Sequence, residues 1–300
     1  ITGISSADIK DGKVAAAGKY EEIAPMLSGG EELADALRPS GSFDQVKNSL
    51  ALTAEAESMY IRTGRSPVES FPDMRECLKR IHAALFVSPT ELIGIARCLR
   101  AARLAKDAIQ REEGHVMLNN LAEYMSAHRS VEEEIDRCIL GEEEIFDGAS
   151  PELARIRRAM RQTNERVRER LGSMIRSAAY AKYLQEPLIT IRNGRFVIPV
   201  KQEYRQNVPG LIHDQSGSGA TLFIEPAAVV ELGNEYKKLL SQEQEEIERI
   251  LAELTALVAP YSSEILENIR IMGELDLAFA KAKLAYRMRA WAPIMNDQGR

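Results

Sequence analysis

Between Pro151 and Gln185 the positions Leu153, Ile156, Met160, Thr163, Val167, Leu171, Met174 and Ala178 recur at alternating spacings of three and four, with no proline after the first position. That spacing predicts a helix with one continuous seam. From Ala227 to Ala259 the pattern returns at Val229, Leu232, Tyr236, Leu239, Ile247, Ile250, Leu254 and Leu257, broken by Glu243. Each helix would extend about 50 Å at roughly 1.5 Å per residue. Between them the pattern changes. In PLITIRNGRFVIPVKQEYRQNVPGLIHDQSGSGATLFIE, residues 187–225, apolar and polar positions alternate, punctuated by Asn193-Gly194, Pro209-Gly210 and Gly217/Gly219. Asn-Gly between two apolar runs signals a hairpin, since both central residues of the turn need positive φ. Strands are expected near 188–192, 195–200, 210–213 and 220–224.

The remainder is helical in pattern. Residues 1–42 read as irregular, with Gly12, Gly18, Gly29-Gly30, Pro39 and Gly41. Periodicity starts at Phe43 and stops at Gly64; Phe71-Pro72 leads a second helix to about Leu85. Ser88-Pro89-Thr90-Glu91 places a serine cap and a first-turn proline ahead of a third helix ending near Gln110. After Gly114 a fourth is expected to run to about Leu140. Pro260 and Pro293 bound a C-terminal helix, Ser262 to Ala290, with Ile265, Ile269, Met272, Leu275, Phe279, Ala282 and Tyr286 on one face. It would return the chain to the core, making the core discontinuous in sequence.

Charge bears on how the two seamed helices associate. Segment 151–185 carries nine cationic side chains against three carboxylates, whereas 227–259 carries three against seven. Opposite charge beside matching seams predicts an antiparallel pair.

Three stretches, ITIRNGRFVIPVKQEYR at 189–205, HDQSGSGATLFIEPAAVVELGNE at 213–235 and MGELDLAFAKAKLA at 272–285, resemble the second bacterial MutS family, MutS-two, related to the mismatch-repair ATPase MutS. SPTELIGIARCLRAAR at 88–103 and the DGAS-PELARIRRAMR stretch at 147–161 extend the resemblance over roughly residues 40–295. It implies a mainly α fold: a helical core lobe plus a long antiparallel coiled-coil lever capped by a small β-rich clamp-like tip, similar to domain III of MutS. The implied organisation is an irregular segment at 1–42, a core lobe at 43–150, an outgoing lever helix at 151–186, the tip at 187–225, a returning helix at 226–260, and a core helix at 261–300 leading to an ATPase domain outside this sequence. The resemblance further implies a homodimer whose ATPase, using ATP and Mg²⁺, opens and closes the levers around branched DNA. Members also carry a Smr nuclease domain, suppress recombination and act on collided ribosomes, where ribosomal RNA is the nucleic acid. No ATPase or nuclease residues are recognised here, so no catalytic residue and no cofactor is assigned to this sequence.

Composition narrows the choice. A length of 300 residues exceeds one ordinary core, and a net charge of −6 excludes a generically basic nucleic-acid binder while leaving room for a local basic patch. Cys77, Cys98 and Cys138 are odd in number and set in helical patterns, which fits buried thiols in a cytoplasmic protein. No segment is apolar and long enough to predict a membrane span.

The candidate chemistry lies at 187–225. Ser216-Gly217-Ser218-Gly219-Ala220-Thr221 imitates a phosphate-binding loop, but alanine stands where the lysine is needed and a strand, not a helix, is expected to follow. Phe223-Ile224-Glu225 resembles the Phe-x-Glu element with which MutS proteins read mismatches, yet it ends a strand and meets Pro226; Phe223 is expected in the core of the tip, and Glu225 near a helix N-terminus. His213-Asp214 has neither a nucleophile nor a second histidine nearby, and no set of metal ligands converges. His82, His115 and His128 fall in helical core segments. Arg192, Arg195, Lys201 and Arg205, opposed only by Glu203 and interleaved with Gln202, Tyr204, Gln206 and Asn207, are the candidate phosphate contacts, with His213 beside them. Arg155, Arg158, Arg166 and Arg170 of the outgoing helix either pair with glutamates of the returning one or face outward to phosphate. The competing reading is a rigid coiled-coil module that docks a protein or ribosomal surface; an independent enzyme would need a deep pocket of converging titratable groups.

Overall fold

The computed structural model describes residues 23–82, 87–141 and 144–294. The expectations for 1–22, for the end of the second helix at 83–85 and for 295–300 lie outside them. The chain is mainly helical with one small four-stranded antiparallel sheet, and it divides into two compact units, Ile1–Glu144 with Leu251–Arg300, and Ile145–Ile250.

The first unit contains α1 (Ser28–Asp35), α2 (Phe43–Thr63), α3 (Arg75–His82), α4 (Pro89–Gln110), α5 (Val116–Glu123), α6 (Arg129–Cys138) and α10 (Ser262–Met288). Its core gathers Met59 of α2, Ala105 and Ile109 of α4, Leu118 of α5, and Ile271, Leu275 and Phe279 of α10. Helix boundaries follow local chemistry. Ser42 caps α2, Gly64 ends it at φ 73°, and Ser88 and Glu91 form a reciprocal capping box on α4.

Two expectations need correction. Helix α1 lies in the stretch read as irregular: Leu27 enters the core, and Asp276 Oδ2 accepts the N–H groups of Met26 and Leu27 at 2.7 Å each, fixing the chain just before the helix. The single helix expected after Gly114 is instead two, α5 and α6. Fully buried Asn268 on α10 accepts from Ser126 N at 2.9 Å and donates to Ser126 O at 2.8 Å, while Lys106 Nζ donates to Met125 O. Backbone groups that would continue the helix are satisfied from outside it.

The second unit is built from α7 (Pro151–Arg176), α8 (Ala178–Ala181), β1 (Thr190–Arg192), β2 (Arg195–Lys201), β3 (Gly210–Gln215), β4 (Thr221–Pro226) and the greater part of α9 (Val230–Val258). The outgoing helix stops at Arg176 and does not reach Gln185. Ser177 adopts extended backbone and its hydroxyl caps α8 by accepting from Ala179 N, after which Leu184 bridges to Val200. The strands run β1-β2-β4-β3, all neighbours antiparallel. Asn193 and Gly194, at φ 52° and 73°, make the two-residue turn between β1 and β2. Phe196, Ile198, Val200, Leu222 and Ile224 pack with Val167 and Leu171 of α7, with Val229 just before α9 and with Leu232 and Tyr236 of α9.

Polar contacts between α7 and α9 show their direction. Arg157 Nε donates to Glu243 at 2.7 Å, Arg166 lies 3.6 Å from Glu235, and Ser150, the α7 cap, donates its hydroxyl to Glu246 at 2.5 Å. Partner numbers fall on α9 as they rise on α7, so the helices are antiparallel. Arg249, aided by Ser150, depresses the Glu246 carboxyl from an ordinary 4.5 to about 2. A carboxyl whose folded pKa is lowered stabilises the fold fully above its unfolded pKa and loses that contribution as pH falls through the folded one. Thermal melts should therefore lose stability as pH drops from about 4.5 toward about 2, with a shallower loss in Glu246→Gln. Identical acid profiles in the two proteins would contradict this role.

Candidate nucleic-acid interface

The β unit is organised around a carboxylate out of contact with water. Glu225 on β4 is 0% exposed. Its Oε2 is hydrogen-bonded to His213 Nε2 at 2.7 Å, and its Oε1 accepts from Arg195 Nη1 at 3.4 Å; Arg195 Nη1 also donates to Asn234 Oδ1 on α9 at 2.8 Å. The carboxylate also accounts for Gly233: a β-carbon there would lie 2.3 Å from Glu225 Oε1, so the close approach outweighs the roughly 1 kcal/mol that glycine costs inside a helix. His213 reaches the carboxylate from an irregularity in β3, where the register shifts between Ile212 and Asp214. Glu225 does lie beside the first turns of α9, near the helix N-terminus as expected, and it is also an internal hub.

The five candidate contacts thus fall into different roles. Arg195 and His213 hold Glu225. Arg205 donates to the carbonyls of Val208 and Gly210 at 3.3 and 3.2 Å, and Asn193 Nδ2 donates to His213 O at 2.9 Å. The bonds to Gly210 O and His213 O occupy carbonyls of the edge strand β3, the kind of group that otherwise recruits another strand. Arg192 pairs with Asp214 at 3.3 Å and lays its guanidinium 4.6 Å from the centroid of Phe223. Phe223 is half-buried and lies outside the core cluster, which corrects its expected core position. It pairs with Pro199, alternating with the buried Leu222 and Ile224. The Lys201 ammonium has one polar contact among the described residues, Nζ at 3.5 Å from Lys182 O.

On α7, Arg157 is held by Glu243, Asp147 and Ile145 O, Arg161 pairs with Asp147, Arg155 with Glu152, and Arg168 donates to Asn164. Arg158, Arg170 and Arg176 are exposed and form no ion pair among the described residues. Sequence reasoning missed Glu225 as the hub, and it also missed Lys182 with its neighbours Tyr180 and Tyr183. The Ser216–Ala220 loop is a hairpin connection, with Gly219 N donating to Ser216 O at 2.8 Å and β4 following directly. Among the described residues no group of three or more His, Cys, Asp or Glu could hold a metal ion, and no helix is long and apolar enough to cross a membrane. A shallow groove between α7 and α9, of about 210 Å³, is lined by Arg157, Met160, Arg161, Asn164 and Tyr236, a set without a carboxylate.

These features define a mainly helical protein with surplus cations distributed over one helix and a small antiparallel sheet. No protein-family model matches the chain. It is similar to endonuclease MutS2 of Alkaliphilus oremlandii, 42% identical over 287 residues that cover 93% of this chain and 36% of the relative. Endonuclease MutS2 of Geobacillus sp. is 44% identical over 274 residues, 90% of this chain and 35% of the relative, and that of Clostridioides difficile 41% over 289 residues, 93% and 36%. The chain belongs to the MutS2 family, and it spans about a third of the length of these relatives.

Removing the hub tests its structural weight. Glu225→Ala leaves Arg195 and His213 without their shared acceptor, and loss of one partner of a buried ion pair costs about 3 kcal/mol. Urea unfolding should show that loss, with a smaller one for Glu225→Gln. A change below about 0.5 kcal/mol in the alanine variant would deny Glu225 that role.

Proposed function

We propose that this chain is the core, lever and clamp region of a MutS-family ATPase and that it grips nucleic acid, either branched DNA or the RNA of a stalled, collided ribosome. The carrying observation is a set of cations within one compact unit that have no carboxylate partner among the described residues: Arg158, Arg170 and Arg176 on α7, Lys182 after α8, and Lys201 at the end of β2. Such side chains suit sequence-independent phosphate contact, which dominates affinity for nucleic acid. The relatives' name, endonuclease, supports a nucleic-acid substrate for the longer protein. On this reading the antiparallel α7 and α9 form a coiled-coil lever, the sheet forms its clamp, and the longer protein is a homodimer. ATP and Mg²⁺ belong to its ATPase and cleavage to its nuclease domain, both outside this chain, which itself neither hydrolyses ATP nor cleaves nucleic acid.

A second reading, docking onto a protein surface, is favoured by one observation: Ile191, Leu211 and Ile212 in the sheet are 53%, 52% and 47% exposed.

Binding to duplex DNA, branched DNA and structured RNA at two salt concentrations separates the two. Replacing Arg158, Arg170 and Arg176 with alanine should weaken binding irrespective of sequence. It should also flatten the salt dependence, by about 0.9 in the log–log slope for each duplex phosphate that is no longer neutralised. Helicity should be retained, since none of the three lies among the buried positions of α7. Absence of binding to all three nucleic acids would favour protein docking.

A further inference from the structure

The second unit also holds an aromatic row. Tyr180 on α8, Tyr183 after it, and Tyr204 in the 3₁₀ turn Gln202–Asn207 follow one another through space. The Tyr180 and Tyr183 rings lie 6.2 Å apart between centroids at 85°, and the Tyr183 and Tyr204 rings 5.3 Å apart at 49°. Lys182 Nζ stands 5.0 Å from the centroid of Tyr183, and Lys201 Nζ is 3.5 Å from Lys182 O.

The arrangement is fixed by backbone contacts. Tyr183 N donates to Tyr180 O at 2.9 Å, Lys201 N donates to Tyr183 O at 2.9 Å, and Gln185 N donates to Pro199 O at 3.0 Å, so the segment after α8 is fastened along β2. Buried Leu184 joins the core cluster against which the rings pack. Gln202 N donates to Ala220 O at 3.0 Å, which ties the Tyr204 turn to the glycine-rich hairpin loop. All three rings are half-buried against that cluster. None of their hydroxyls makes a hydrogen bond among the described residues, and none is a buried unsatisfied group, so the hydroxyls reach water.

A core role alone accounts for the buried edges of these rings. It does not account for three phenols gathered at one place with their polar ends in solvent and two lysines beside them. That combination suits a flexible strand: bases stack on aromatic rings, while phosphates meet the ammonium groups. A regular duplex keeps its bases stacked inside and would offer only its phosphates.

We propose that Tyr180, Tyr183 and Tyr204, with Lys182 and Lys201, form a binding site for unpaired nucleotides of single-stranded DNA or RNA. The inference rests on the nucleic-acid function proposed for this chain and deepens it, since a branched structure exposes unpaired nucleotides at its junctions.

The test uses the whole chain and three fluorescein-labelled probes: oligothymidylate and oligouridylate of about 16 nucleotides, and a duplex of the same length. The triple variant Tyr180→Leu, Tyr183→Leu, Tyr204→Leu should bind both single strands about tenfold more weakly while its duplex affinity changes less than about twofold. Because leucine alters packing, Tyr183→Phe serves beside it: it keeps the ring and should keep single-strand affinity. The variant Lys182→Ala, Lys201→Ala changes no core residue and should weaken single-strand binding. Photo-cross-linking with 5-iodouridine-substituted oligonucleotide should place the adduct on Tyr180, Tyr183 or Tyr204. Unchanged single-strand affinity in the folded triple variant and the lysine variant, or adducts found only elsewhere, would overturn the site while duplex binding leaves the broader proposal standing. A chain that binds none of the probes overturns both.

Discussion

A carboxylate removed from water dictates what the surrounding cations in the β unit can do. Glu225 needs compensating donors, because an isolated buried charge is far costlier than a paired one. Arg195 and His213 supply them, Asn234 orients Arg195, and Gly233 leaves room for the carboxylate. These contacts join β2, β3, β4 and the start of α9. The proposed phosphate contact then falls to the cations that are left over.

The same division runs through the outgoing helix. Arg157, half-buried and in contact with Glu243, Asp147 and Ile145 O, helps to hold α7 against α9 and the loop before it. Arg158, one residue on, faces solvent with no ion-pair partner among the described residues. Exposed ion pairs such as Arg155 with Glu152 contribute little to stability, typically below about 1 kcal/mol. Cationic surplus is therefore a poor measure of binding surface; what matters is which guanidinium and ammonium groups have no internal acceptor.

How much of this was legible depends on the distance over which each signal acts. Asn193-Gly194, the Ser88 cap with Glu91, and Gly64 at the end of α2 act over a few residues, and each feature stands where the sequence places it. The four strands likewise fall within two residues of their expected bounds. The break between α5 and α6 was hidden because Asn268 is 142 residues away from Ser126. The Glu225 hub was hidden similarly: FIEP reads as a strand end meeting a helix, and only the fold shows His213, Arg195 and Gly233 converging on that side chain. Local pattern therefore finds the cationic region without sorting its members, since Arg195, Arg205 and His213 have internal partners whereas Arg158, Arg170 and Lys182 carry no ion pair among the described residues.

The central claim is that internal acceptors divide these cations into those that hold the fold and those that meet phosphate. Arginine modification by phenylglyoxal, read by mass spectrometry with and without branched DNA, tests it directly. The account predicts that Arg195 and Arg205 react slowly in both states, while Arg158, Arg170 and Arg176 react readily in the free chain and become protected on binding. Ready modification of Arg195 and Arg205 in the free chain, with DNA-dependent protection confined to them, would contradict it.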